Sequence, residues 1–255
     1  MRADQALVDQ GLANSRNQAQ QMIEAGLVFT SETGSEQPIK KSSQKIIDPT
    51  RLSVREGDIQ KYVSRGGLKL EGALKRVELS VQNAAAMDVG ISTGGFTDCL
   101  LKHGASKVIG VDVGHDQLAS PLKRDSRVIC LEGINARELS AATLLASLGG
   151  VSDNTTFDII VVDVSFISLT LILPKLPELL RPMGKVLALV KPQFEVGASN
   201  LGKGGIVKDP SLYTGVEAKI RATCNDVGIK VEDYFESSIE GGDGNKEFFV
   251  YGGRI

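Results

Sequence analysis

Cysteine and histidine are scarce in this sequence, and their scarcity narrows the chemistry available to it. Cys99, Cys130 and Cys224 lie far apart, and His103 and His115 are the two histidines. None of these has the close spacing of a zinc ligand set, so no metal is expected. Reduced thiols suit a cytoplasmic protein. A long apolar run is also missing. The most apolar stretch, 159–174, is interrupted by Asp163 and is too short to cross a bilayer, so no membrane span is expected. The opening Met1-Arg2-Ala3-Asp4 leads into an amphipathic pattern, unlike the apolar core of a signal peptide. Charge of one sign is lacking too. With 29 Lys and Arg against 31 Asp and Glu the net charge is −2, so any nucleic-acid site must be a local patch.

The chain has 255 residues with 42% hydrophobic content, enough for one large domain or a small one plus a medium one. Residues 1–60 read as helix, helix, then short strands. Ala3, Leu7 and Val8 mark one apolar face, and Gly11 ends that helix. Ser15-Arg16-Asn17-Gln18 has the form of a capping box, Ala19, Met22 and Ile23 face inward, and Gly26 supplies a left-handed stop. Leu27-Val28-Phe29 predicts a strand, 30–37 a loop, and 54–58 a strand end with a turn. Residues 61–66 predict a linker. Its Gly66-Gly67 pair among Lys61, Arg65 and Lys69 reads as a hinge able to approach phosphate, or as a solvated connector.

From residue 67 onward the pattern predicts a second domain of alternating strands and helices. Candidate strands are 84–89, 107–112, 127–132, 157–163, 185–191, 230–237 and 247–251, with helices separating the first five. Ile159-Ile160-Val161-Val162 is apolar at successive positions, the pattern of a strand buried on both faces. This predicts a mainly parallel sheet in a doubly wound α/β domain.

The first strand runs into Asp88-Val89-Gly90-Ile91-Ser92-Thr93-Gly94-Gly95-Phe96. Gly90 permits a tight turn, Gly94 and Gly95 allow a ligand near the backbone, and Ser92 or Thr93 can cap the next helix. Asp112, ending the second strand, stands where an acidic side chain holds ribose hydroxyls. The glycine spacing is not that of a dinucleotide loop, and Asp88 would repel a pyrophosphate. An acid there suits the cationic sulfonium and amino group of S-adenosylmethionine. A dehydrogenase is disfavoured on the same grounds.

Four further charged residues stand near strand ends: Lys69, Asp163, Lys191 and Glu247. Taken singly, each reads as a strand-end salt bridge. Together they suit methylation of a ribose hydroxyl, which must lose its proton as it attacks the sulfonium methyl. A free lysine, with a pKa near ~10.4, is protonated at neutral pH and needs a tuned setting to act as a base. Lys191 is therefore expected to be the base or the hydroxyl-orienting group, with Asp163, Glu247 and Lys69 positioning it.

At these residues the chain resembles the TlyA family of ribosomal RNA cytidine 2′-O-methyltransferases, some of which carry haemolysin names. The likeness rests on Ser64-Arg65-Gly66-Gly67-Leu68-Lys69-Leu70, the stretch from Asp88 to Asp98, Val161-Val162-Asp163-Val164-Ser165-Phe166-Ile167-Ser168-Leu169, Val190-Lys191-Pro192-Gln193-Phe194-Glu195 and Gly244-Asn245-Lys246-Glu247. The resemblance implies a Rossmann-like S-adenosylmethionine-dependent domain of the FtsJ type, with a catalytic tetrad at Lys69, Asp163, Lys191 and Glu247. It also implies a small α+β S4-type RNA-binding domain in front. Cofactor contacts would fall on Asp88, Gly90, Ser92, Thr93, Gly94, Gly95, Phe96, Asp112 and Asp163. Ile91 replaces the small residue common before the Ser-Thr pair, and it is expected to narrow that pocket.

Ribosomal RNA, or a ribosomal subunit, would be the partner. Residues 1–60 hold seven Lys or Arg against eight Asp or Glu, so affinity requires the cations to gather on one face. Arg2, Arg16, Lys40 and Lys41, with Arg65, are the candidates. Two other readings compete with the enzyme. A ribosome-assembly factor with an inert domain would have no need of the tetrad, and a pore-forming haemolysin would need a membrane-inserting segment that this sequence lacks.

Overall fold

The computed structural model describes the chain except for residues 14, 25, 55–60, 150–154, 242–243 and 255. It divides into two compact units, Met1–Arg65 and Gly66–Ile255.

In the first unit, helices α1 (Ala3–Asp9) and α2 (Arg16–Glu24) accompany a three-stranded antiparallel sheet. The strands are β1 (Val28–Thr30), β2 (Gln37–Pro38) and β3 (Leu52–Val54), in the order β2-β1-β3. Ala3, Ala6 and Leu7 recur at helical spacing and are fully buried. The inward face of α1 thus includes Ala6, whereas Val8, expected there, is only partly buried. Gly11 and Gly26 both adopt left-handed φ (68° and 69°), which lets the chain leave each helix. Ser15 Oγ accepts from the Gln18 amide at 3.2 Å, the forward half of the capping box. The turn expected beyond Val54 falls outside the described residues.

The second unit is a seven-stranded sheet flanked by helices. Its strands are β4 (Ala85–Val89), β5 (Lys107–Asp112), β6 (Val128–Glu132), β7 (Phe157–Val162), β8 (Leu180–Val190), β9 (Ile229–Glu236) and β10 (Phe248–Arg254). Their order is β6-β5-β4-β7-β8-β10-β9. The first five are parallel, and β10 and β9 add antiparallel strands at one edge. This is the doubly wound α/β fold expected from the sequence. Ile159, Ile160, Val161 and Val162 are buried, as a strand covered on both faces requires. The chain runs outward from β4 through β5 to β6, then returns to the other side of β4 as β7. That reversal opens a crevice beyond the carboxyl ends of β4 and β7.

The helices of this unit are α3 (Gly66–Arg76), α4 (Gly95–Lys102), α5 (Ser120–Lys123), α6 (Ala141–Ser147) and α7 (Leu212–Asp226). Two expectations change here. Gly66 and Gly67 form the first turn of α3, not a hinge, and Lys69 lies on that helix's buried side. Between β7 and β8 the connection is three consecutive 3-10 turns, 169–171, 173–175 and 177–179. Pro174 and Pro177 each remove an amide donor there, so no continuous α-helix forms.

Candidate active site and RNA-binding face

The crevice holds two adjoining cavities. The first, about 520 Å³, is lined by Gly90, Ser92, Asp112, Gln117, Asn135, Arg137 and Asp163, with Val113, Ile134 and Val164 among its apolar wall. Gly90 has φ 89°, and a Cβ there would stand 2.3 Å from the Asp163 carbonyl oxygen. Only glycine lets the ends of β4 and β7 approach this closely. Asp112 is fixed at the end of β5 by two amides: Ser92 N donates to Oδ2 and Gly114 N to Oδ1, both at 2.8 Å. Each carboxylate oxygen retains a lone pair, enough for a pair of ribose hydroxyls.

Other loop residues serve the scaffold. Neither Ser92 nor Thr93 caps α4; Gly94, at φ 93°, occupies the cap position without a side-chain bond. The space a Gly94 Cβ would need is filled by Leu118 and Leu122, so packing as well as φ requires glycine there. Gly95 and Phe96 begin α4 and are buried, Phe96 with its ring 6.2 Å from that of Phe249. Ile91 does not narrow the cavity. Its side chain turns away onto Gly110, where a Cβ would be 2.2 Å from Ile91 Cδ1.

Asp88 lines neither this cavity nor its neighbour. It is fully buried, with Oδ2 accepting from Thr97 Oγ1 at 2.7 Å and Oδ1 without a hydrogen-bond partner among the described residues. Burial pushes its pKa up to about 7, against the opposing pull of the Thr97 hydroxyl.

The second cavity, about 480 Å³, is lined by Lys69, Lys191, Glu247, Ser165, Phe166 and Asn245 among others. The four charged residues form two ion pairs. Lys69 Nζ lies 2.5 Å from Glu247 Oε2, in a pair that is almost wholly buried. Lys191 Nζ lies 2.6 Å from Asp163 Oδ1, off the line of a hydrogen bond, and also donates to Ser165 Oγ at 2.8 Å. Asp163 lines the first cavity and Lys191 the second, so this pair stands at their boundary.

Ser165 and Phe166 line both cavities, and neither is among the site residues expected from the sequence. Phe166 is 91% exposed at φ 63°, its ring 5.3 Å from that of Phe194. A bulky, exposed aromatic in the left-handed region is a conformation that folding alone does not favour. The loop that carries it is clamped by Glu195, which accepts from Ser168 Oγ (2.7 Å), Leu169 N (2.6 Å) and Lys219 Nζ (2.7 Å). On the other side of the cavity, Asn245 is buried. It accepts from Val207 N and donates to Gly205 O, each at 3.1 Å, tying the 201–207 segment to the approach of β10.

These residues suit S-adenosylmethionine. Asp112 offers anchored acceptors for a diol, and Asp112 and Asp163 place negative charge in the same cavity, which favours a sulfonium cation. Among the described residues, no three His, Cys, Asp or Glu side chains converge as a metal site would need, and no helix is long and apolar enough to cross a membrane.

In the first unit two of the expected cations, Arg2 and Arg16, converge on Asp4. Arg2 donates to both of its carboxylate oxygens at 2.9 Å, and Arg16 donates to Oδ2 at 3.1 Å. The 40–45 segment is tied alongside: Ala3 N donates to Gln44 O and Asp4 N to Ser42 O, and Arg2 bridges Lys45. Lys40, Lys41 and Lys45 on that segment are exposed. Arg65 closes the unit, some twenty residues farther along.

Residues 62–254 match the sequence pattern of the family described as FtsJ-like methyltransferase, and residues 1–29 match that of the S4 domain. The 16S/23S rRNA (cytidine-2′-O)-methyltransferase TlyA of Mycobacterium tuberculosis is 38% identical over 250 residues, covering 98% of this chain and 88% of that protein. Hemolysin A of Brachyspira hyodysenteriae is 38% identical over 251 residues, covering 98% and 99%. A solved protein of Streptococcus thermophilus that carries a hemolysin name matches with a TM-score of 0.76 at 39% identity, over 100% of this chain and 88% of its own.

Proposed function

Because this chain belongs to the FtsJ-like methyltransferase family and carries an S4 domain in front, we propose that it methylates the ribose 2′-hydroxyl of a cytidine in ribosomal RNA. The observation that carries this reading is the boundary between the two cavities, where the Lys191–Asp163 pair faces both. S-adenosylmethionine supplies an electrophilic methyl group when bound, so the attacking hydroxyl is what the protein must activate. Asp112 and Asp163 hold the cofactor from the side of β5 and β7. Lys191, aimed by Asp163 and Ser165, orients the hydroxyl; once its ammonium has given a proton to solvent, the neutral amine accepts the hydroxyl proton as the new bond forms. Lys69 and Glu247 neutralise each other within the same cavity and fix its electrostatics without adding net charge. The S4 domain adds affinity for structured RNA and holds none of the tetrad. A ribosomal RNA substrate, free or within a subunit, would place the protein in the cytoplasm.

Mapping 2′-O-methylation on ribosomal RNA from cells with and without the gene tests the reading. A cytidine methylated only when the gene is present is the expected result, reproduced with purified protein, S-adenosylmethionine and unmodified RNA. Identical maps, with no transfer in the purified system, would overturn it.

A further inference from the structure

We infer that Asp4 is a positioning residue for RNA, a buried carboxylate that holds the guanidinium groups of Arg2 and Arg16 ready for neighbouring phosphates. This rests on the reading of the S4 unit as the RNA-binding part. Asp4 is fully buried in the first turn of α1, and a buried charge is costly unless it is well partnered. Its partners are unusually many. Arg2 Nε and Nη2 bind its two oxygens at 2.9 Å, Arg16 Nη2 reaches Oδ2 at 3.1 Å, Gln20 Nε2 at 3.2 Å, and Gln5 N reaches Oδ1 at 3.0 Å.

The bland alternative is an acid that serves only its helix N-terminus. That accounts for the bond from Gln5 N but not for two guanidinium groups converging from Arg2 and from α2. The arginines are not consumed by the contact. Their side chains remain 49% and 53% exposed, and a guanidinium has five N–H donors, of which Arg2 commits two and Arg16 one to Asp4. Hydrogen bonding from Arg2 holds the Asp4 carboxyl well below the usual carboxylate range, so the arrangement persists throughout neutral pH.

An organiser of this kind also answers how a unit without excess positive charge could grip RNA. Residues 1–60 are not basic overall, so long-range attraction is weak. Side chains held in the binding geometry lose less entropy on contact, and affinity then comes from preorganisation.

The test turns on a sign. Asp4→Asn makes the face more positive by one charge, so a bystander acid, once removed, should leave RNA binding unchanged or tighten it. If Asp4 positions the arginines, binding should weaken. We would measure affinity of the full-length protein for an unmodified transcript of large-subunit ribosomal RNA across a salt series. Asp4→Asn should bind about 10-fold to 100-fold more weakly, with the slope of log K against log salt shallower by roughly two phosphate contacts. Single-turnover methyl transfer at saturating RNA should stay near wild type, which separates positioning from chemistry.

Arg2→Lys guards against a folding defect at Asp4. It keeps the charge but cannot fork onto the carboxylate, and should weaken binding several-fold at unchanged net charge. Asp4→Glu, which keeps the acid, should bind more tightly than Asp4→Asn. Wild-type affinity and slope in both Asp4→Asn and Arg2→Lys, alongside weakened binding in an Arg2→Ala/Arg16→Ala double variant, would overturn the role of Asp4 alone. An unchanged double variant would overturn the RNA-binding face itself, and Asp4's role with it.

Discussion

The buried carboxyl of Asp88 titrates where burial, not pairing, sets the outcome. In the folded protein its pKa is pushed up to about 7, whereas an aspartate in an unfolded chain titrates near ~3.9. Between those values the folded state binds more protons than the unfolded one. Stability from this group is therefore fully present below about pH 4 and is lost as pH rises through 7. At about 1.4 kcal/mol per unit, the loss reaches about 1.5 kcal/mol by pH 5 and about 4 kcal/mol by pH 8. Asp88→Asn keeps the shape and an oxygen to accept from Thr97, and it removes the titration. Relative to wild type, the variant should gain about 2.5 kcal/mol of stability between pH 5 and pH 8. Urea unfolding can follow this through tyrosine fluorescence. The chain has no tryptophan, and Tyr213, Tyr234 and Tyr251, three of its four tyrosines, lie in the catalytic unit. Titrations of groups that do not interact with Asp88 are common to both and cancel. Parallel pH profiles for the two proteins would refute the reasoning, because they would mean that Asp88 stays ionised in the core.

Lys191→Ala should cut single-turnover methyl transfer by roughly 10²–10⁴-fold with little change in cofactor or RNA affinity, and Lys191→Arg should also fail because a guanidinium stays protonated. A near wild-type rate in the alanine variant would make Lys191 a structural cation. Glu247→Gln strips the anion from the nearly buried Lys69 ammonium, and should destabilise the catalytic unit by about 3–5 kcal/mol in urea unfolding. An unchanged unfolding midpoint would mean the pair is strongly solvated. Asp112→Ala should weaken S-adenosylmethionine binding by calorimetry at least several-fold, and unchanged binding would remove Asp112 from the cofactor site.

The parallel strands and the glycine stops were legible because they depend on local pattern. Ile159 to Val162 carry the pattern of a strand covered on both faces, and Gly11 and Gly26 each end a helix with the left-handed turn expected of them. The strand-end placement of Asp112, Asp163 and Lys191 was legible for the same reason: once the strands are known, so are the residues at their carboxyl ends. Local pattern misled where a distant residue took the partner. Ser92 or Thr93 is expected to cap the helix, but Ser92 Oγ donates to Gln117, twenty-five residues on, and Gly94 takes the cap position. The Gly66-Gly67 pair looked like a hinge, yet helix packing on one side of α3 draws both residues into a regular turn.

What the sequence determined by itself was the kind of element each segment forms and the chemistry each strand end could offer, because hydrophobic period and turn residues act within a few positions. Tertiary structure alone decided the partners. Lys69 meets Glu247 across 178 residues of chain, and Ser165 lies on the boundary of two cavities only because β7 and β8 end side by side. Asp4 became an organiser of arginines for the same reason: α2 returns beside α1 and brings Arg16 and Gln20 onto its carboxylate. Such pairings depend on the order in which strands and helices assemble, and no stretch of neighbouring residues encodes that order.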